Sequence, residues 1–183
     1  MPVSNRRGYT LIELVVTVLI IGILTSIAVP QYLMTVETGK ADDAVATLNM
    51  IGTTNKMFAL DHGGCYTSGA FPSGAGATCA GTATVCPNPA SWSPCPVTVA
   101  CALVACNYLA DQDWGDKAYT FNSCDSTGGG GGGTCAVGLT GVAARATSGS
   151  GGSSIATYQA WKYSIAATGQ ITALAGGAPP PTY

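Results

Sequence analysis

The longest apolar stretch of the chain lies near its N-terminus, where no residue from Leu14 to Val36 is charged. At a rise of about 1.5 Å per residue, a helix of this length approaches the roughly 30 Å of hydrocarbon in a bilayer. The pattern therefore predicts a membrane-spanning helix. Glu13 stands at its start, and a carboxylate at bilayer depth costs about 2.5–3.5 kcal/mol, so we expect this acid to have a partner or a function.

Charged residues flank the apolar stretch asymmetrically. Arg6 and Arg7 precede it, and Glu37 is the first acid after it. Because basic residues collect on the cytoplasmic side, we expect the N-terminus in the cytoplasm and the rest of the chain across the membrane. No small-residue cleavage site follows the apolar run, so we expect the helix to be kept and the cut to fall at Gly8, where the polar peptide MPVSNRRG ends.

Helical periodicity continues beyond the apolar run. From Lys40 to Leu60, apolar residues recur on one stripe, which is typical of a helix that packs on a small sheet. We predict one long helix from Tyr9 to Leu60, ended by His62-Gly63-Gly64. Four positions mark places where it is expected to bend or melt locally: Gly22, Pro30, Gly39 and Gly52.

Alternation typical of strands appears later in the chain. Ala118 to Asn122 and Thr157 to Ala166 alternate large and small or polar residues, and Thr168-Gly169 predicts a turn into a last strand, Ile171 to Leu174. The last two strands would form a C-terminal hairpin, and a helix followed by antiparallel strands gives an α+β fold. In the hairpin, Trp161, Tyr163 and Ile165 alternate with Ala160, Lys162 and Ser164.

Cys65 to Cys106 is rich in small residues and proline, and we predict a loop region held by crosslinks. Within it, Val97 to Leu109 fits a short helix or a strand, and we favour a helical turn. All eight cysteines follow the membrane segment, and an even number fits disulfides in an oxidising compartment, with the pairing left open. The candidates are Cys65, Cys79, Cys86, Cys95, Cys101, Cys106, Cys124 and Cys135.

Three further stretches are predicted to be exposed. Six consecutive glycines lie between Cys124 and Cys135 without a following Lys-Ser/Thr, so a flexible loop clipped by these cysteines is favoured over a phosphate-binding loop. Thr147 to Ser154 is low in complexity and Pro179 to Tyr183 is rich in proline. Both are predicted to be exposed and mobile.

Composition disfavours several function classes. The chain is 47% hydrophobic and 9% charged with a net charge of -2, so no basic patch favours nucleic acid as a partner. The one histidine, His62, is interpreted as a solvated helix cap rather than a general base or metal ligand, and we expect neither enzymatic activity nor a cofactor. Acidic candidates for Ca²⁺ ligands match no fixed ligand loop, and solvated turn residues are the commoner interpretation. They are Asp111, Asp113, Asp116 and Asp125.

The residues around the expected cut carry a family resemblance. Arg7-Gly8-Tyr9-Thr10-Leu11-Ile12-Glu13, followed by the apolar run and Pro30, resembles the N-terminal segment of type IV pilins and of the pseudopilins of type II secretion. The resemblance implies that a prepilin peptidase cuts after Gly8 and methylates the new amine of Tyr9, where family members most often have Phe. It also makes Glu13 the family's glutamate and Pro30 its helix-kinking proline.

The resemblance implies the pilin fold, in which a long N-terminal helix, transmembrane in its first half, packs on a small antiparallel sheet with a disulfide-rich loop region. The expected division is a leader over residues 1–8, the transmembrane and assembly half of the helix over 9–36, its amphipathic half over 37–62, and an extracytoplasmic globular domain over 63–183. Family pilins often carry a disulfide-bounded loop near the C-terminus, and Cys124 and Cys135 are its expected counterpart.

The implied function is that of a structural subunit of a type IV pilus-like filament, polymerised through the N-terminal helix. The expected partners are identical or related subunits, prepilin peptidase, the inner-membrane assembly machinery and, before assembly, membrane lipid. Glu13 of an incoming subunit would neutralise the Tyr9 amine of its neighbour and fix the register, because an unpaired charge in apolar surroundings is costly. The precursor is expected in the bacterial inner membrane and the assembled protein in a surface pilus or periplasmic pseudopilus.

Two alternatives remain open. Asp113-Trp114-Gly115, with Tyr119 soon after, resembles a stretch before a strand in major pseudopilins, although the prolines of that stretch are absent. This favours a type II secretion pseudopilin, whereas the cysteine-rich loops favour a surface pilin. The more distant alternative is a single-pass anchor whose Glu13 reaches the membrane interface, which leaves the glycine before an aromatic residue unexplained.

Overall fold

The computed structural model describes residues 8–81, 86, 97–127, 135–147, 151–175 and 177–181. The chain forms two compact units, Met1–Gly39 and Lys40–Tyr183. The described part of the first unit is helical from Leu11 onward. The second unit contains the continuation of that helix, two short α-helices and a sheet.

The N-terminal helix α1 spans Leu11–Asp61 and has 51 residues. Its bounds agree with the predicted range, Tyr9 to Leu60, within two residues. Helical structure continues through each position where bending or melting was expected, so α1 is uninterrupted there. The kink at Pro30, which removes one backbone donor inside the helix, stays a prediction.

The end of α1 depends on two glycines. Gly63 and Gly64 have φ angles of 64° and 90°, in the left-handed region that glycine adopts without steric cost. The Gly64 N–H donates to the Ala59 carbonyl at 2.7 Å and so caps the last turn. The predicted helix end is confirmed.

Among the described residues of the second unit, five antiparallel strands form one sheet in the order of the chain. Phe121 lies opposite Ala143, Ala143 opposite Tyr163, and Tyr163 opposite Ala173, so the same register line crosses four strands. The strands are β1 (Gly69–Ala70), β2 (Tyr119–Ser123), β3 (Leu139–Arg145), β4 (Lys162–Ala166) and β5 (Ile171–Ala175).

Strands β2 and β5 confirm the predicted strands Ala118 to Asn122 and Ile171 to Leu174. The antiparallel pairing of β4 with β5 confirms the C-terminal hairpin. The start of β4 was predicted wrongly, because residues 156–159 form a short helix, α3 (Ala156–Gln159), and the strand begins only at Lys162. The preference for a helical turn within residues 97–109 is confirmed by α2 (Ala102–Ala105).

The sequence analysis missed β3, which occupies the middle of the strand order. Its sequence, LTGVAAR, lacks the large alternating side chains by which strands are recognised. The structure gives a reason for the small residues: a Cβ added at Gly141 would lie 3.0 Å from Cδ1 of Leu48 on α1. Close packing of the helix against this strand therefore removes the very pattern that would have revealed it.

The core lies between the C-terminal part of α1 and the sheet, which confirms the α+β fold with a helix packed on a small antiparallel sheet. The predicted helix stripe and the large alternating residues of β4 and its start both belong to it. Its buried members include Ala44, Leu48, Ile51, Phe58, Tyr119, Phe121, Trp161, Tyr163 and Ile165.

Gly52 lies at a point of close approach between α1 and β4. A Cβ at this position would lie 2.6 Å from Cδ1 and 2.7 Å from Cγ2 of Ile165. Gly52 was expected to mark a bend in the helix. The structure gives it a different role: the absence of a side chain at this position leaves room for Ile165.

Disulfides hold the described loops, as predicted. The structure pairs Cys79 with Cys101, Cys86 with Cys106, and Cys124 with Cys135. Cys65 is disulfide-bonded as well. Cys95 and the six glycines after Thr127 lie outside the described residues.

Two stretches predicted to be exposed are partly packed. Ser153 is buried; its N–H donates to the Ala146 carbonyl at 3.0 Å, so the expectation of exposure is wrong there. In the tail, the Pro179 carbonyl accepts a hydrogen bond from the Tyr163 hydroxyl at 3.2 Å, while Pro180 is exposed. Residues 148–150 and 182–183 lie outside the described residues.

Candidate functional site

The N-terminus of α1 is capped by three hydrogen bonds between Thr10 and Glu13, which run in both directions. The Thr10 N–H and hydroxyl donate to Oε2 of Glu13 at 2.9 and 2.8 Å, and the Glu13 N–H donates to the Thr10 hydroxyl at 3.3 Å. This is the capping box that Thr-x-x-Glu forms at a helix start. The sequence analysis did not use this signal, although Thr10-Leu11-Ile12-Glu13 displays it.

The cap gives Glu13 a role inside its own chain. Its carboxylate satisfies a backbone donor of the first helical turn, where negative charge is also favoured by the helix dipole. Gly8, Tyr9 and Thr10 lie ahead of α1, and Tyr9 is 87% exposed. Four residues, Tyr9 to Ile12, lie between Gly8, the expected cut site, and Glu13, and one of them, Thr10, caps the helix.

The first half of α1 is an exposed apolar surface. Within the described residues, α1 is the one helix long and apolar enough to cross a bilayer. Its large side chains from Leu11 to Leu33 are each between 41% and 82% exposed in the single chain. Together with the motif described below, this helix supports membrane anchoring of the precursor.

Hydroxyl groups within this apolar half are satisfied by the helix itself. Each donates to a carbonyl three or four residues earlier, so these side chains need no partner from lipid or from a second helix. The bonds run from Thr17 to Leu14 at 2.8 Å, from Thr25 to Ile21 at 2.8 Å, from Ser26 to Ile23 at 2.7 Å and from Thr35 to Gln31 at 3.0 Å.

A buried asparagine on α1 links the helix to three other segments of the globular unit by hydrogen bonds. Asn55 is fully buried on α1, and its Nδ2 donates to the carbonyls of Thr67, Cys124 and Thr140 at 3.0–3.1 Å. Its Oδ1 accepts from the Thr67 N–H at 2.8 Å and from the Thr67 hydroxyl at 3.0 Å. The sequence analysis missed it, although an amide on the stripe of Leu48, Ile51 and Phe58 was a usable signal.

His62 is buried, which corrects its interpretation as a solvated cap. Its ring stacks on Phe58 at 3.8 Å between centroids, and its Nδ1 lies 2.8 Å from the Phe58 carbonyl. Beside it, the Tyr108 hydroxyl donates to Oδ2 of Asp61 at 2.6 Å. This hydrogen bond to the carboxylate, with a smaller contribution from burial, raises the pKa of Tyr108 to about 12.

The acidic Ca²⁺ candidates mostly bind backbone donors near their own turns. Oδ1 of Asp113 accepts from the N–H groups of Gly115 and Asp116 at 2.9 and 3.3 Å. Asp111 accepts from the Cys79 N–H at 3.0 Å, and Asp125 accepts from Thr127. Among the described residues these carboxylates do not gather into a set of three ligands.

Comparisons with known proteins concern the N-terminal part of the chain. Residues 3–29 match the family model described as the prokaryotic N-terminal methylation motif. A similar protein is the type IV major pilin protein PilA of Myxococcus xanthus (strain DK1622), 41% identical over 54 residues, which cover 30% of this chain and 24% of that protein. Another is the prepilin peptidase-dependent protein D of Escherichia coli (strain K12), 38% identical over 64 residues, which cover 35% of this chain and 44% of that protein.

These matches cover less than half of either relative. No solved structure matches the chain. The motif and the two relatives show that the N-terminal segment of the chain is similar to that of type IV pilins and pseudopilins. The resemblance found in the sequence is confirmed for that segment.

Proposed function

We propose that the chain is a structural subunit of a type IV pilus-like filament, held in the membrane by the first half of α1 until it assembles. The exposed apolar surface from Leu11 to Leu33 carries this proposal. So much contiguous apolar surface is unfavourable in water, so lipid before assembly and neighbouring helices after it are the surroundings that suit it. The residues from Lys40 onward bury a core of their own.

Processing by a prepilin peptidase prepares the subunit. The peptidase cuts after Gly8 and the new amine of Tyr9 is methylated. Support comes from the matched methylation motif and from the exposed, non-helical placement of both residues ahead of α1. A protease needs an extended and accessible segment, which these residues offer.

The charge of Glu13 selects the register of assembly. In the uncut chain Thr10 donates to this carboxylate, and the cut creates a positive amine on the residue next to Thr10. In a bundle of parallel helices, Glu13 of an incoming subunit neutralises the Tyr9 amine of its neighbour. One axial offset pairs these charges, and other offsets leave them unpaired in an apolar core.

Topology and location follow from the same scheme. The N-terminus of the precursor lies in the cytoplasm, and the globular unit lies across the inner membrane, where its disulfides form. After assembly the protein is part of a surface pilus. Identical or related subunits, prepilin peptidase and the inner-membrane assembly machinery are its partners.

A structural role without catalysis fits the described side chains. The one histidine, a natural candidate for a general base, is stacked on Phe58, and its Nδ1 donates to the Phe58 carbonyl. The cysteines of the described loops are tied in disulfides rather than held as reactive thiolates.

A pseudopilin of type II secretion is the second candidate. The observation that favours it is Trp114, which stacks on Phe71 at 4.2 Å in the loop before β2 and belongs to the Asp113-Trp114-Gly115 stretch. The disulfides of the loop region favour the surface pilus, since covalent crosslinks protect an exposed fibre.

Deletion of the gene followed by imaging and secretion assays distinguishes the two. A pilus subunit predicts that surface fibres disappear, that they return on complementation, and that release of exoproteins is unchanged. Loss of exoprotein release with fibres retained would favour the pseudopilin. Retention of both would overturn the filament proposal.

A further inference from the structure

One disulfide of the globular unit lies beside the histidine of the chain. A ring nitrogen of His62 and the sulfurs of Cys86 and Cys106 all lie within 4.8 Å of one another. Among the described residues, this is the one group of three side chains placed to hold a metal ion. We propose that reduction of the Cys86–Cys106 disulfide creates a Zn²⁺ site formed by the two thiolates and the His62 imidazole.

The imidazole is already oriented as metal-binding histidines are. A carbonyl oxygen can only accept, so the 2.8 Å contact between Nδ1 of His62 and the Phe58 carbonyl requires the proton on Nδ1. In the neutral ring the lone pair then lies on Nε2, which makes Nε2 the ring atom able to bind an ion. A backbone carbonyl that binds the other ring nitrogen is the usual second partner of a metal-bound histidine.

Neighbouring rings hold the imidazole in place. Phe58 stacks on it at 3.8 Å and Tyr108 meets it edge-on at 5.8 Å between centroids. His62 follows the end of α1, and Cys106 caps the end of α2. Two of the three ligands therefore sit at the ends of ordered helices, which lowers the cost of arranging them around an ion.

The spacing suits a tetrahedral ion once the disulfide is open. Zn–S bonds of about 2.3 Å and Zn–N bonds of about 2.0 Å place ligand atoms roughly 3.5–3.8 Å apart. The Cα atoms of Cys86 and Cys106 are 4.7 Å apart, so both side chains can reach one ion. Two thiolates and one imidazole favour Zn²⁺ over hard cations, with water in the fourth position.

The chemistry needs an external reductant, which we specify as a water-soluble phosphine. The S–S bond takes up two electrons, phosphorus is oxidised to the phosphine oxide with an oxygen atom from water, and two thiols form. Binding of Zn²⁺ then displaces the two thiol protons. Cys86 and Cys106 are each half-buried rather than fully buried, so reductant and metal can reach this part of the surface. Oxidation and metal binding exclude each other at this site.

Cobalt titration of the detergent-solubilised full chain tests the proposal, because tetrahedral Co²⁺ with thiolate ligands has intense visible and near-ultraviolet bands. We expect the reduced chain to bind one Co²⁺ with these bands, the oxidised chain to show none, and Zn²⁺ to displace the Co²⁺. Equal bands in the oxidised chain would overturn the proposal.

Variants assign the ligands. His62→Gln should weaken the Co²⁺ affinity of the reduced chain at least about tenfold. The double variant Cys124→Ser, Cys135→Ser removes a different disulfide and should keep both affinity and spectrum. Unchanged binding in His62→Gln, or loss of binding in the double variant, would contradict the assignment.

Reduction also opens the remaining disulfides, so the folded state must be followed by near-ultraviolet circular dichroism. If the reduced chain loses its near-ultraviolet signal, Zn²⁺ should restore it in the unaltered chain and not in His62→Gln. Failure of Zn²⁺ to restore the signal would overturn the proposal.

Discussion

Asn55 and Thr67 form a closed polar pair inside the globular unit: Oδ1 of Asn55 accepts both the backbone N–H and the side-chain hydroxyl of Thr67. The Asn55 Nδ2 returns a hydrogen bond to the Thr67 carbonyl at 3.1 Å. A single buried amide thereby anchors the chain that leaves α1 and also reaches the ends of β2 and β3.

Asn55→Ala should destabilise the protein strongly. The change removes the hydrogen bonds that Asn55 makes to the Thr67 N–H and to three buried carbonyls, of which the Thr140 carbonyl keeps its bond from the Cys124 N–H. An unsatisfied buried group costs about 1–3 kcal/mol. We expect the free energy of unfolding to fall by at least about 3 kcal/mol, measured by denaturant titration of the detergent-solubilised chain. Asn49→Ala on the exposed face of the same helix is the matched control and should change little. Equal stability of the two variants would contradict the anchoring role.

Gly52→Ala should also destabilise the protein, because the added methyl would overlap Ile165. Overpacking of this kind costs about 1–3 kcal/mol. Gly39→Ala meets nothing within 4 Å and should leave stability unchanged or raise it by up to about 1 kcal/mol through helix propensity. The double variant Gly52→Ala, Ile165→Val should recover part of the loss. A stabilising effect of Gly52→Ala alone would refute the close approach.

The stability that Tyr108 supplies should depend on pH in the alkaline range. Its folded pKa of about 12 lies above the ordinary value of 10.0, so its contribution is fully present below pH 10 and is lost as pH rises toward 12. Tyr108→Phe should therefore be less stable than the unaltered chain by about 1 kcal/mol at pH 8, with the difference closing between pH 10 and 12. Denaturant titrations at several pH values measure it. A difference that stays constant to pH 12 would contradict the Asp61 hydrogen bond.

Glu13→Gln separates the two roles of this residue. The amide keeps a carbonyl oxygen for the Thr10 cap and removes the charge, whereas Glu13→Ala removes both. If charge selects the register, both variants should be processed and retained in the membrane but assemble poorly. Quantification of sheared filaments against membrane-retained subunit measures this. Wild-type filament yield from either variant would refute the charge role.

The sequence predicted those elements whose patterns the packing leaves intact. The long apolar run predicted the first half of α1, the stripe from Ala44 to Phe58 predicted the face of α1 that packs on the sheet, and the alternation around Tyr163 predicted β4. Strand β3 was not predicted, because Gly141 and its small neighbours, which allow α1 to pack closely, do not show the alternation of large side chains typical of a strand. Nothing local in the sequence distinguishes such a strand from a loop.

The polar interior was less predictable, because its partners are distant in the chain. Arg145 is buried and donates to the Ala118 and Gly151 carbonyls, with its guanidinium 5.5 Å from the centre of the Tyr119 ring. His62 lies near Cys106, which is likewise distant in the chain, whereas its contacts with Phe58 are local, four residues apart. In contrast, the processing segment is contiguous, so its residues could be recognised without the fold.

The most direct test of the central claim is N-terminal sequencing and intact mass of the subunit taken from purified filaments. We predict a chain that begins at Tyr9, carries one methyl group on its terminal amine and contains its cysteines as disulfides. Gly8→Ala should block this shortening. A filament subunit that still begins at Met1 would contradict the account.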